Sequence, residues 1–213
     1  MSRLLLTHGM TLITAGSLWG TVTMAAAQAV SPAGSPAVTD ARLTPVSGGD
    51  AILEPFWDPA LAAWQKWSQT ADGVQAESRQ SWCMVMLDWT AAAPGVGPAL
   101  RRSYAGEGVA MGPYSHLVLS AGFPKGTTIA LRATTDAGRF EQTFVCTVSH
   151  TDQHALPLPK AARLQQVDIA LGAAAAGPAK GNLLWLGLRD PQRAAAEEEQ
   201  WRAFADQPLD VFL

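Results

Sequence analysis

The chain has 213 residues, a formal net charge of −3, and charged residues at 15% of the total. That charge fraction is below the usual quarter, and without a basic run or face it excludes nucleic acid as a partner class. Eight tryptophans and a 48% hydrophobic content supply enough material for one packed domain and for aromatic contacts.

Residues 1–29 read as a secretory signal. Arg3 supplies the positive start, Leu4–Leu6 and Met10–Met24 an apolar stretch cut by small and hydroxyl residues, and Ala27-Gln28-Ala29 a small-x-small cleavage site. An uninterrupted apolar run of about 18 residues is lacking, so export fits better than a membrane anchor. The expected destination is the periplasm or the exterior, with no membrane contact after signal cleavage. Residues 30–50, rich in Ala, Pro, Ser, Thr and Gly, read as a flexible linker.

Asp58-Pro59 then carries a helix-start signal, Asp as N-cap and Pro in the first turn. The predicted helix reaches Thr70, places Leu61, Trp64 and Trp67 on one face, and stops at Ala71-Asp72-Gly73. Strands follow. Trp82–Trp89 is apolar on both parities, as in a strand covered on two sides. Leu100–Ala105 and Glu107–Met111 are weaker strand patterns around Gly106, and Tyr114–Ala121 is a strong one. Thr127–Thr135 alternates, a three-residue turn is expected at Asp136-Ala137-Gly138, and Arg139–Ser149 returns with Phe140, Phe144, Cys146 and Val148 inward. Val167, Ile169 and Leu171 form another inward set. Ala173–Gly181 reads as a loop and Leu183–Leu188 as a buried closing strand. Asp190-Pro191 opens a second helix through Phe204, with Trp201 and Phe204 on its packing side. About eight strands with turn residues between them predict an all-β fold: an antiparallel β-sandwich of jelly-roll, galactose-binding-like type with one short helix at each end. The sandwich is expected over residues 51–189 and the C-terminal helix over 190–213.

Cys83 and Cys146 share inward parity in their predicted strands. In an oxidising compartment an even pair permits a disulfide, worth about 4 kcal/mol for a loop of this length. Two separate buried thiols fit the same pattern.

Catalytic chemistry is sparse. His150-x-x-x-His154 with Asp152 resembles a metal-ligand set, but that spacing works on a helix turn and here reads as a polar loop. Gly106-x-Gly108-x-x-x-Gly112 and Gly95-x-Gly97 lack the strand-then-helix context of a phosphate cradle, so they read as bends. Among Glu54, Asp58, Glu77, Asp88, Glu107 and Asp136 no spacing selects a catalytic pair, and the Gly-x-Ser-x-Gly elbow of a hydrolase is missing. The Arg101-Arg102 pair reads as a solvated strand end. No catalytic residue, metal site or cofactor is therefore expected.

Sugars offer flat, weakly polar faces on which exposed aromatic rings pack while polar side chains take the hydroxyls. Trp57, Trp64, Trp67, Trp82 and Tyr114 are the aromatic candidates. The glycan-contact set is Trp57, Trp64, Trp67 and Asp88, although Trp64 and Trp67 at helical spacing equally mark core. Trp82 reads as core, and Trp185, Trp201 and Phe204 are assigned to packing against core or a neighbouring domain.

Tyr114-x-x-Leu117-Val118-Leu119-Ser120, then Phe123-Pro124-Lys125-Gly126-Thr127, then Trp185-Leu186-Gly187-Leu188 before Asp190-Pro191, resembles the leading β-sandwich domain of secreted polysaccharide-degrading enzymes. The resemblance is to heparinase II/III-like polysaccharide lyases and related toroid-bearing glycan enzymes, and it spans Ile52–Leu213. It implies a non-catalytic sandwich that braces a following catalytic domain. The apolar ending Asp210-Val211-Phe212-Leu213 fits a chain that continues into such a domain. The expected partner is a polysaccharide or that following catalytic domain. The rival readings are a free-standing carbohydrate-binding module and a structural or adhesion domain binding another protein.

Overall fold

The computed structural model describes residues 43–46, 48–57, 64–81 and 83–205. The expected signal segment, most of the linker, Asp58, Leu61, Trp82, the side chain of Phe204 and the final residues lie outside them.

The elements are β1 (Thr44–Pro45), β2 (Asp50–Pro55), a 3-10 turn (Trp64–Lys66), β3 (Ser68–Gln69), β4 (Glu77–Ser81), β5 (Met84–Ala91), β6 (Ala99–Ser103) and β7 (Val109–Ala110). They continue with β8 (His116–Gly122), β9 (Thr128–Thr135), β10 (Gly138–Val145), β11 (Thr151–Pro157), β12 (Arg163–Gly172), β13 (Gly177–Arg189) and α1 (Pro191–Ala205).

The strands form two antiparallel sheets, and the molecule is a β-sandwich. In the first sheet β13 is the spine. Its Gly177–Leu183 half pairs with β5 and its Trp185–Arg189 half with β2, while β8 lies along the opposite edge and carries β11. Strand β4 extends the sheet beyond β5, and β1 extends it beyond β2. In the second sheet the order is β10-β9-β12-β6-β3, with β7 sharing an edge of β12. Alternation supplies the core, because successive strand residues face opposite sides. Val85, Leu87, Leu117, Leu119, Leu183, Leu186 and Leu188 of the first sheet meet Leu100, Ile129, Leu131, Val167 and Ile169 of the second, all at most 1% exposed.

Helix α1 starts as its sequence signal requires. Asp190 Oδ1 accepts the Gln192 and Arg193 amides at 3.0 and 3.4 Å, a capped N-terminus.

Six expectations need correction. The N-terminal flanking helix does not continue to Thr70: a single 3-10 turn holds Trp64–Lys66, and Ser68–Gln69 is already a strand on β6. Sheet pairing overrides the helical spacing there. The expected linker already joins the sheet at Thr44–Pro45 and Asp50. Strand β5 is not covered on both sides; its burial alternates. The segment holding His150 and His154 is strand β11 from Thr151, not a loop, and the expected loop at Ala173–Gly181 has become β13 from Gly177. The hairpin turn has two residues, Asp136-Ala137, because Gly138 at φ 129° opens β10 opposite Thr135.

Candidate functional site

Two adjacent grooves open at the β3–β6 side of the sandwich. The larger lies on the outer face of the second sheet. There, register places Glu141 of β10, Arg132 of β9, Asp168 of β12, Arg101 of β6 and Ser68 of β3 in one row across five strands. The charges alternate along it. Arg101 Nε donates to Asp168 Oδ1 at 2.6 Å, and Gln166 Nε2 donates to Asp168 Oδ2 at 2.9 Å. Arg132 Nε stands 2.9 Å from Glu141 Oε1, yet that contact lacks hydrogen-bond alignment. The Asp168 partnership holds the Arg101 guanidinium above its usual range, through the hydrogen bond and then the charge.

The next row along the strands is Thr143, Ala130, Ala170 and Ala99. Methyl groups there leave room above the sheet. The resulting cleft, about 510 Å³, is floored by Ala99 and Ala170, bounded by Arg101, Arg132 and Asp168, and walled by Thr70, Asp72–Val74 and Gly95–Gly97. Backbone bonds stitch the walls to the sheet and to each other: Thr70 N donates to Ala99 O at 2.8 Å, Leu171 N to Pro98 O at 2.9 Å, and Val74 N to Gly97 O at 3.0 Å. Gly73 and Gly97 make the close seating feasible, since a Cβ at either would collide with the backbone of Ala99 or Leu171. Arg101 and Arg132 against Asp72 and Asp168 leave the lining charge-balanced.

On the other side of the Thr70–Gln75 turn lies a groove of about 320 Å³ lined by Trp64, Trp67, Gln75 and Ser78 among others. Phe56, 1% exposed, packs edge-on against both tryptophans at 6.0 and 5.8 Å between centroids. Trp64 Nε1 donates to Ser78 Oγ at 3.2 Å, and Trp67 Nε1 is buried without a hydrogen-bond acceptor among the described residues. The structure thus brings Trp64 and Trp67 together. Asp88 lies in a neighbouring groove that shares Gln75, with its carboxylate 3.6 Å from Arg79. Trp57 is 40% exposed in the turn after β2 and lines neither groove.

The remaining sequence candidates separate. Glu54, the most enclosed carboxylate at 2% exposure, is ion-paired with buried Arg102 at 2.9 Å between the two sheets. Burial pushes its carboxyl above the ordinary range despite that guanidinium. Arg102 is therefore no solvated strand end; parity turns it inward as it turns Arg101 outward. Glu107 pairs with Arg163, and Asp136 Oδ1 accepts the Arg163 amide, so these acids have structural duties in different places. His154 faces the core against Phe144, 5.1 Å between rings, whereas His150 is exposed in the connector before β11. The glycines at 95, 106, 108 and 112 all have φ between 57° and 81°, which is turn geometry.

Cys83 and Cys146 are free thiols rather than a disulfide. Neither is mid-strand: Cys83 sits in the β4–β5 turn of one sheet and Cys146 just past β10 of the other. Burial, and secondarily Asp152, pushes the Cys146 thiol up, away from nucleophilic use. Trp185 is half-buried and lies over Gly187 on the outer face of the first sheet. Trp201, expected to pack, is 66% exposed on α1. That helix carries its polar surface through Arg193–Glu197 and Arg202–Glu198 pairs.

Sequence reasoning missed the charged row. Its only signal was strand parity, which puts Arg101, Arg132 and Asp168 on the solvent side; cross-strand register was needed to align them.

The fold is that of an antiparallel β-sandwich with a polar cleft on one outer face. No family model and no curated protein matches the chain. Solved structures similar to it include an agarase, AgWH50C, at 5% identity and TM-score 0.49, covering 66% of this chain and 24% of that one. A carbohydrate-binding module specific for non-crystalline cellulose, CBM28, is similar at 10% identity and TM-score 0.45, covering 70% of this chain and 97% of that one. A CBM4 structure is similar at 15% identity and TM-score 0.43, covering 60% and 96%.

Proposed function

We propose that this sandwich is an exported, non-catalytic glycan-binding module that serves a polysaccharide-degrading enzyme. The supporting observation is the alternating row Glu141–Arg132–Asp168–Arg101 beside a methyl-floored cleft. Strand spacing sets successive side chains about 4.8 Å apart. Planar donors and acceptors at that interval suit the paired hydroxyls of a sugar chain. The Trp64–Trp67 groove next to the cleft offers aromatic surface for a pyranose face. Export rests on the signal-like residues 1–29, and the lyase-type parent rests on the sequence resemblance. Bracing a following domain is the second reading, favoured by the exposed Trp201 on the C-terminal helix.

Affinity electrophoresis in gels containing neutral or acidic polysaccharides tests the binding. At least one glycan is expected to retard the protein, with little change on raising salt, because the cleft is charge-balanced and ionic terms are screened. Arg101→Ala is expected to weaken that retardation at least about tenfold, which is about 1.4 kcal/mol, and Trp64→Ala to weaken it less. Free migration through every glycan would reject the module reading and leave the brace.

A further inference from the structure

Strand β10 leaves a long margin of the second sheet open. It pairs with β9 alone, and both of its ends fix where its backbone groups point. At the turn Gly138 closes the hairpin opposite Thr135, and just past the strand Cys146 N donates to Thr127 O at 2.8 Å. Even-numbered residues therefore bond to β9, while the N–H and C=O groups of Arg139, Glu141, Thr143 and Val145 point away from it. Among the described residues no strand pairs with that side.

The other margins are blunted. Strands β1 and β3 have two residues each, and β4 is polar throughout. In β11, Leu158 N donates to Ser115 O at 2.7 Å, so the odd-numbered Pro157 presents its missing N–H to the free side. Strand β10 runs for eight residues with neither proline nor lysine, and such an edge is a template for another strand. Its apolar residues are incompletely covered: Phe140 and Phe144 are half-buried on the inner side, and Val145 is 59% exposed.

The sequence of the strand is complementary to itself. Phe140-Glu141-Gln142-Thr143-Phe144 places an aromatic ring at the same distance on either side of Gln142. In an antiparallel pairing centred there, Phe140 of each copy faces Phe144 of the other, a favourable cross-strand pair. Glu141 then faces Thr143, and the Arg139 stem lies over exposed Val145. The outward N–H and C=O groups meet as bonded pairs. Each Glu141 sits diagonal to the other and is already 2.9 Å from its own Arg132. Moving the axis to residue 141 would oppose two carboxylates directly, and moving it to 143 would part the phenylalanines.

We propose that the free edge of β10 pairs antiparallel with β10 of a second copy, on a two-fold axis at Gln142. Facing residues share a side of the sheet, so the two clefts open on one common face. The eight residues of β10 on each side fall short of the about 20–30 in a standard interface. A weak dimer follows, with a Kd between about 10 μM and about 1 mM. The pairing stands whether or not the cleft binds glycan.

Sedimentation velocity of the full chain across that concentration range, with cysteine cross-linking, tests it. Residue 142 forms a non-hydrogen-bonded pair with its copy, about 4.5 Å between Cα atoms, within disulfide reach. In a Cys83→Ser, Cys146→Ser background, Gln142→Cys should give at least tenfold more disulfide dimer under mild oxidation than Thr143→Cys, whose opposite number is Glu141. Thr143→Pro deletes an outward donor and spares the β9 ladder, so it should raise Kd at least tenfold with an unchanged melting midpoint. Should the proline lower that midpoint, Gln142→Lys sets two ammonium groups face to face and should raise Kd as much. A chain monomeric up to about 1 mM, or a dimer indifferent to both variants, overturns the pairing, and equal cross-linking at 142 and 143 overturns the register.

Discussion

Arg101 and Arg102 adjoin in sequence and face opposite sides of one sheet. Arg101 borders the cleft with its side chain 45% exposed, whereas Arg102, 8% exposed, reaches between the layers to Glu54. Arg102 also sits 4.6 Å above the Tyr104 ring and bonds the Ser103 carbonyl. Taking two charges from water is expensive, and removing one partner leaves the other stranded. Glu54→Leu and Arg102→Met are each expected to cost about 3–5 kcal/mol, and the double variant clearly less than their sum. Urea unfolding of the four proteins at neutral pH measures this cycle. Strict additivity would show that the pair does not couple the sheets.

At the scale of elements, the cleft depends on loops seated against strands without intervening side chains. Gly97 packs on Leu171 and Gly73 on Ala99. Gly97→Ala must push the wall off β12, at an expected cost of about 1–3 kcal/mol from overpacking. Glycan affinity should fall with it, although residue 97 offers no polar group. Thermal unfolding and affinity electrophoresis on one preparation check both effects, and an unchanged midpoint would mean the wall yields freely. The same elements mark what could be read in advance. Strands β9 and β12 announce themselves through alternating apolar residues, β8 and the core half of β13 through short apolar runs, and α1 through Asp190-Pro191. Strand β11 does not, because Thr151, Asp152 and Gln153 are all exposed and its inward face consists of His154 and Leu156. The Trp64–Trp67 spacing suggests a helix, but Phe56 organises the two rings across a turn. Of the candidate site, the aromatic pair was legible. The charged row was not, since it spans residues far apart in sequence that only β-register aligns.

Across the whole molecule, the two sheets meet along the edge where β10 of one lies beside β11 of the other. His154 is the polar residue buried there. It is 6% exposed, stacks near Phe144, and its Nε2 has no hydrogen-bond partner among the described residues. Burial lowers its pKa from the ordinary 6.5, with Asp152 pulling weakly the other way. The folded state therefore holds the ring neutral at pH values where the unfolded chain protonates it. The unfolded state then binds more protons, so stability rises with pH through that window. The contribution is complete above about pH 6.5 and drains away as pH falls toward the depressed folded value. Its slope is at most about 1.4 kcal/mol per pH unit, or about 2–4 °C in Tm per kcal/mol for a chain of this size. Glu54 acts in the opposite sense, because its raised pKa adds stability at low pH that is lost as pH climbs through the folded value. The useful quantity is thus a difference between proteins. His154→Leu keeps the packing volume and is expected to flatten the melting profile between pH 6.5 and 5 relative to the parent chain. Parallel profiles for the two would show that protonation at this edge does not oppose closure of the sandwich.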